Sequence, residues 1–111
     1  MVFKVHIESY DSIKYIVGRN AYSNWKILND ADNDDIWIHL HNDSSPYVIL
    51  ENTTEITEEH IKYGAELCKQ FSNNNKSKTT ISYLPVQYVC KGKTVGEARL
   101  LKPPSIKSFH F

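Results

Sequence analysis

Cysteine is scarce in this sequence, and a long apolar run is missing from it. The only two cysteines, Cys68 and Cys90, form no CxxC pair, so neither a disulfide framework nor a zinc site is expected. Both are predicted to be small core residues. No apolar run approaches the length of a membrane span, and the first residues alternate apolar with polar, unlike a signal peptide. We therefore expect a cytoplasmic protein that contacts no membrane.

The sequence also lacks a net charge, which argues against a nucleic-acid binder because such proteins usually carry a basic balance. The neutral total hides a segregation, however. Residues 1–26 hold four basic and two acidic side chains, residues 27–60 hold none and nine, and residues 61–111 hold nine and two. A fold that gathers the first and last segments on one side would present a basic face. The alternative is that these charges are spread over the surface without a common role.

The length and the apolar periodicity predict one compact domain over residues 1–111. The chain has 111 residues, 41% of them hydrophobic, which suits a single core. Strand and helix patterns interleave, so we predict an α+β fold with a mostly antiparallel or mixed sheet packed against two helices. The predicted strands are 2–7, 13–17, 36–41, 47–50, 79–84, 86–90 and 105–111, and the predicted helices are 18–28 and 57–71.

The predicted strand 36–41 has two very different faces. Because alternate side chains of a strand point to opposite faces, one face is wholly apolar and is assigned to the core. The other face carries a tryptophan and two histidines where a surface strand usually carries Thr, Lys or Glu. The core face is Ile36, Ile38 and Leu40, and the second face is Trp37, His39 and His41.

Templates for catalysis and metal binding fit the sequence poorly. The acids from Asp30 onward resemble a calcium loop, but Asp35 stands where that loop needs glycine and His41 where it needs glutamate. His39 and His41 lack a third metal ligand at a fixed local offset. The sequence contains no P-loop, no GxGxxG and no nucleophile elbow. We expect no metal, no cofactor and no catalytic residue.

Several short motifs follow one another along residues 15–100. In order they are a Gly-Arg-Asn stretch with a later Asn (Gly18, Arg19, Asn20, Asn24), a D-x-W-x-H strand (Asp35, Trp37, His39), a small-residue turn before a Val-containing strand (Ser44, Ser45, Val48), a helix ending in Ser (Ala65, Ser72), and a late Lys-Gly turn with a further Gly (Lys91, Gly92, Gly96). In this combination they resemble the NFACT-R domain, the RNA-binding domain of the NFACT proteins of ribosome quality control.

The resemblance implies a non-catalytic RNA-binding module. Its expected ligand is structured RNA, tRNA or rRNA, with the ribosome as a further partner and a link to translation or ribosome quality control. The family often has a His before the Val-rich strand, where this chain has Tyr47. Full NFACT proteins add an N-terminal domain and coiled-coil helices, so we expect a stand-alone short member and do not carry over the functions of those extra domains.

Side-chain chemistry selects the residues expected to contact RNA. Arginine pairs with phosphate as a fork, asparagine offers donors and acceptors to bases, and Trp and His offer flat faces to unpaired bases. Lysines beside a glycine reach a phosphate that approaches the backbone. Two alternatives remain open: Trp37 packs in the core under the second helix, and the asparagines only cap a turn or helix. The predicted RNA contacts are Arg19, Asn20, Asn24, Trp37, His39, Ser45, Lys91 and Lys93.

Two other classes of function compete with RNA binding alone. The first is an RNA-processing or RNA-modifying enzyme that uses Asp35, His39 and Ser45, which requires a deep pocket with perturbed pKa values. The second is a protein-interaction module in a ribosome-associated complex. The most informative structural observation is whether Trp37 and His39 line a concave basic surface.

Overall fold

The architecture is one six-stranded antiparallel sheet with helices on both faces. The computed structural model describes residues 2–53, 55–72 and 76–111. Its strands are β1 (Val5–Tyr10), β2 (Ile13–Gly18), β3 (Ile36–Leu40), β4 (Val48–Leu50), β5 (Lys78–Pro85), β6 (Val89–Lys91), β7 (Ala98–Leu100) and β8 (Ser105–His110), and its helices are α1 (Ala21–Asp30) and α2 (Glu58–Phe71). The sheet order is β1-β2-β4-β3-β5-β8, and β6 pairs with β7 in a separate hairpin. The predicted α+β fold is confirmed.

Each face of the sheet has its own hydrophobic core. Helix α2 packs on the face that carries Ile38 and Leu40, whose side chains are 0% and 3% exposed. Helix α1 and the β6–β7 hairpin cover the face that carries Trp37 and Ile49. Because both faces are covered at the centre of the sheet, the central strands bury the side chains that point to either face.

The segment after β5 differs from the prediction. Residues 86–90 were expected to form a strand, but Val86–Tyr88 is a short 3₁₀ helix and β6 begins only at Val89. The N–H of Val86 donates to the carbonyl oxygen of Asp35 (2.8 Å) and that of Gln87 to Asn33 (3.0 Å). These bonds hold the chain at the turn before β3, so it leaves the sheet and crosses to the α1 side.

The topology brings several element ends to one end of the sheet. Strands β2 and β3 finish there, β4 starts there, α1 begins there and α2 ends there, because β4 runs antiparallel to both β2 and β3. The acids at 30–35 and Glu51 lie at the opposite end, next to the start of β3 and the end of β4. Within the described residues, no helix combines the length and the apolar character that a membrane crossing requires.

Candidate nucleic-acid interface

A cavity of about 1090 Å³ opens at this end of the sheet; we call it the end cavity. Its lining comes mainly from the β2–α1 junction, the β3–β4 loop, the last residues of α2 and the loop of the β6–β7 hairpin, and Ser82 and Pro104 also line it. Among its lining residues are Arg19, Asn20, Asn24, Trp37, His39 and Ser45. Six of the eight residues predicted from sequence to contact RNA thus meet at one site.

Arg19 and Asn20 form the entry to α1. The Asn20 side chain caps the helix, since its Oδ1 accepts the N–H of Ser23 (2.7 Å) and its Nδ2 donates to the Val2 carbonyl (2.8 Å). The capping alternative is therefore confirmed for Asn20. Arg19 is exposed, and its guanidinium lies 4.6 Å from the centre of the Phe71 ring at the end of α2. This contact holds the cation beside the positive end of the α1 dipole.

Asn24 is buried under the cavity, with 7% of its surface exposed. Its Oδ1 accepts the backbone N–H of Tyr47 at 3.0 Å, which fixes the orientation of the amide. Gly18 permits this approach, because a Cβ at position 18 would lie 2.1 Å from that oxygen. The Nδ2 group donates to no acceptor in the described part of the chain. Asn24 is not a helix cap, and it leaves its amide NH2 group free at the cavity.

Trp37 belongs to the core rather than to the surface. It is 3% exposed and packs with Ile27 and Leu28 of α1. This burial contradicts the expectation of an open tryptophan face for base stacking. It also corrects the alternative, because Trp37 packs under the first helix and not under the second. The physical reason is that α1 and the β6–β7 hairpin cover this face of β3 and form a hydrophobic core with it.

His39 presents a half-buried ring above Trp37. The two rings are parallel, with 5.5 Å between their centres, and Tyr47 meets both edge-on. Burial lowers the pKa of His39, against an opposing hydrogen bond to the Leu40 backbone, so the ring is neutral at pH 7. Since the Leu40 carbonyl can only accept, Nδ1 carries the proton of that 2.8 Å bond. Nε2 is therefore a lone-pair acceptor.

Ser45 organises the β3–β4 loop. Its hydroxyl accepts the N–H of Leu40 and donates to the carbonyl of Pro46, both at 3.0 Å. These bonds occupy the hydroxyl proton and one lone pair, so the loop is held closed beside His39. An RNA contact through Ser45 stays a prediction.

Lys91 and Lys93 are exposed on the β6–β7 hairpin and lie outside the cavity lining. The Lys91 ammonium is 5.3 Å from the centre of the Trp25 ring on α1. The backbone N–H of Lys93 donates to Glu97 Oε1 at 2.9 Å. The two cations thus lie on the hairpin next to the cavity but do not line it. Their contact with RNA stays a prediction.

Tyr47 and Trp25 dock the hairpin, a role that the sequence analysis missed. The Tyr47 hydroxyl donates to the Gly96 carbonyl (2.7 Å), and Trp25 Nε1 donates to the Glu97 carbonyl (2.9 Å). Tyr47, which replaces the family's His, is fully buried. Its position before a Val-rich strand was the available signal, but the partner lies 49 residues away along the chain. Local patterns carry no information about such a contact.

The residues of the enzyme alternative do not come together. Asp35 precedes β3 and His39 is near its end, which is roughly 13 Å along an extended strand. The Asp35 oxygens accept the N–H groups of Asp32 and Asn52 (2.9 and 3.0 Å). The Ser45 side chain bonds to backbone groups and to the Cys68 thiol. This grouping of Asp35, His39 and Ser45 is therefore wrong as a catalytic set.

An acidic cluster lies at the far end of the molecule. One carboxylate oxygen from each of Asp32, Asp34 and Asp35 falls within 4.8 Å of the others. Those of Asp35 already accept two backbone N–H groups. Exposed carboxylates in a turn are common in proteins without a metal, and this cluster lies away from the end cavity.

The basic residues of the last segment do not form one face. Lys62 and Lys69 lie on α2, on the face of the sheet that carries Ile38. Their ammonium groups lie 5.8 and 5.1 Å from the centre of the Phe111 ring. The β6–β7 hairpin, on the face of the sheet that carries Trp37, holds Lys91, Lys93 and Arg99. The single basic face that the charge segregation left open is therefore not formed by these residues, because the chain runs through the sheet as β5 and continues on its other face.

The fold and the end cavity define a small α+β domain with a large open site at one end of its sheet. The family model described as the NFACT protein RNA binding domain matches residues 1–103. The chain belongs to this NFACT-R family, as the motifs predicted, and the family is one of RNA-binding domains.

A solved structure with a related fold is the C-terminal part of the fibronectin/fibrinogen-binding protein from Streptococcus suis. It superposes with a TM-score of 0.84 at 13% identity, over 97% of this chain and 45% of that one. The present chain thus spans less than half of that chain, and at this identity the likeness concerns the fold. No curated protein matches the sequence.

Proposed function

We propose that this domain is a non-catalytic module that binds structured RNA, tRNA or rRNA, at the end cavity. The proposal includes action in the cytoplasm, on or near the ribosome, in translation or ribosome quality control. The observation that carries it is the meeting of Arg19, Asn24 and His39 at one cavity in a chain of the NFACT-R family. Their chemistry suits a phosphate and a base edge.

The charges around the end cavity favour its Arg19 side as the phosphate site. Arg19 lies beside the first turn of α1, where partial positive charge favours an anion. Asp43 and Glu97 also line the cavity, and their carboxylates disfavour phosphate near them. RNA affinity should therefore depend on Arg19 far more than on a lysine elsewhere.

The test compares Arg19→Ala with Lys14→Ala, which removes a lysine paired with Glu51 (3.5 Å) at the acidic end. Fluorescence anisotropy against tRNA and a paired hairpin, at several salt concentrations, measures affinity and its salt dependence. Each phosphate contact contributes a fixed part of the salt slope. Arg19→Ala should flatten that slope by about one contact, and Lys14→Ala should leave it unchanged.

Two outcomes would contradict the proposal. Absence of saturable binding to either RNA near 100 mM salt, on the order where non-specific contacts still hold, would favour a protein-interaction role. Equal loss in the two variants would place RNA binding elsewhere on the surface.

A further inference from the structure

Asn24 leaves an unused donor at the end cavity. The residue is 7% exposed, and its Nδ2 group reaches the open cavity, since the described buried side-chain N and O atoms without a hydrogen-bond partner are Trp37 Nε1 and Thr79 Oγ1. The bond from the Tyr47 N–H to Oδ1 prevents the amide from turning over to hide Nδ2. The amide thus presents a fixed donor to the cavity, where the acceptor of a ligand can replace water.

His39 supplies the complementary group at the same cavity. The ring interacts with the backbone of Leu40, whose carbonyl accepts from Nδ1–H, and with that of Ser45, and the Nε2 lone pair of the neutral ring accepts no hydrogen bond in the described residues. A donor from Asn24 and an acceptor from His39 match the Watson–Crick edge of any nucleobase, since that edge has an acceptor next to a donor in every base. In a duplex that edge is already paired, so only an unpaired base can offer it.

The first turn of α1 provides the place for the phosphate of the same nucleotide. The backbone N–H groups of Ala21 and Tyr22 have no partner in the described residues, as at most helix starts. Arg19 stands next to them in the chain, and Arg19, Ala21 and Asn24 all line the end cavity.

We propose that the end cavity binds an unpaired nucleotide of the RNA, with its phosphate beside Arg19 and the start of α1 and its base against Asn24 and His39. This inference rests on the proposed RNA-binding function and specifies the ligand. It assigns the domain to RNA bulges, loops or ends rather than to regular duplex.

The test uses three RNAs that share one stem: a hairpin with a single-nucleotide bulge, the same hairpin with an abasic residue in the bulge, and a fully paired hairpin. The bulged RNA should bind roughly tenfold more tightly than the other two, since the energy of one accommodated base corresponds to about that factor or more. The abasic RNA separates recognition of the base from recognition of a bent backbone.

Variants locate the base in the cavity. Asn24→Asp keeps an oxygen for the Tyr47 N–H but replaces the free donor with an acceptor and adds a charge. Ser44→Asp adds the same charge on the exposed loop that lines the cavity. Both should weaken binding overall, but only Asn24→Asp should abolish the preference for the bulged RNA. His39→Phe, which removes the acceptor and retains a ring, should reduce the same preference and replaces Asn24→Asp if that variant does not fold.

The results separate the two levels of the proposal. Equal affinity for all three RNAs, with a clear salt dependence, would overturn the unpaired-nucleotide site and leave RNA binding intact. A bulge preference that survives in both Asn24→Asp and His39→Phe would place the base outside the cavity and also overturn it. No saturable binding to any of the three would remove the proposed function together with this inference.

Discussion

Ile38 and His39 are neighbours on β3 with opposite surroundings. Ile38 is completely buried against α2, where its Cδ1 lies so close to Gly64 that a Cβ there would be 2.4 Å away. Ile38→Ala should therefore lower the free energy of unfolding by about 1–4 kcal/mol. His39→Ala should cost less stability and weaken RNA binding. Denaturant titration and anisotropy on both variants test this, and the reverse order of stability would contradict the assignment of His39 to the site.

Trp37 shows why a stability measurement must accompany every binding measurement on this strand. At 3% exposure in the second core, Trp37→Ala should cost about 3–5 kcal/mol of unfolding free energy. Loss of RNA binding in that variant would reflect a displaced His39 ring, because the two rings are parallel and adjacent. The tryptophan contributes to the site by supporting His39.

At the level of elements, the periodicity of apolar residues within short segments predicted individual strands and helices. The alternation of residues 36–41 predicted β3, and the acids after Thr57 with the apolar spacing from Ile61 predicted α2. Periodicity did not predict that Val86–Tyr88 leaves the sheet or that the hairpin covers the Trp37 face. Those outcomes depend on bonds such as Tyr47 to Gly96, between residues distant in sequence.

The candidate site divides in the same way. Residue chemistry predicted Arg19, Asn24 and His39 as members of one site, which the fold brings together. It did not separate them from Asn20 and Ser45, whose polar groups serve the helix cap and the loop. Burial and hydrogen-bond partners make that distinction, and both arise only in the folded chain.

Glu8 links β1 to α2 and gives the fold a predictable dependence on pH. Hydrogen bonds from Tyr63 and then His6 hold the pKa of the Glu8 carboxyl below its ordinary value of 4.5. The folded state thus binds this proton less tightly than the unfolded state. The stability that Glu8 contributes is present above about pH 4.5 and is lost as the pH falls through the lowered pKa.

Glu8→Gln tests this link between the two elements. The difference in unfolding free energy between wild type and variant should be larger at pH 7 than in acid below the lowered pKa of Glu8, where both side chains are neutral. Tyr63→Phe removes the leading cause of the lowered pKa and should reduce the same pH dependence. A difference that is constant from that acid range to pH 7 would show that the ionised carboxylate contributes nothing.

For the molecule as a whole, two pairs of lysines on opposite faces of the sheet allow a test of where RNA binds. Lys91 and Lys93 stand on the hairpin whose loop lines the end cavity, and Lys62 and Lys69 stand on α2 beside Phe111. Lys62, Lys91 and Lys93 are exposed and Lys69 is half-buried. Charges at such surface positions contribute little to stability, so either pair can be removed with the fold intact. The pairs carry equal charge, so long-range attraction of RNA to the whole domain falls equally in both variants.

Only direct phosphate contacts should therefore distinguish the two pairs. Lys91→Ala with Lys93→Ala should flatten the salt slope of RNA binding by about one to two phosphate contacts, while Lys62→Ala with Lys69→Ala should lower affinity without that change. Anisotropy titrations of both double variants over a range of salt concentrations measure the slopes. Equal slopes would mean that RNA contacts neither group or spans both sides of the sheet edge. The opposite order would move the bound RNA onto the exposed face of α2, away from the β6–β7 hairpin.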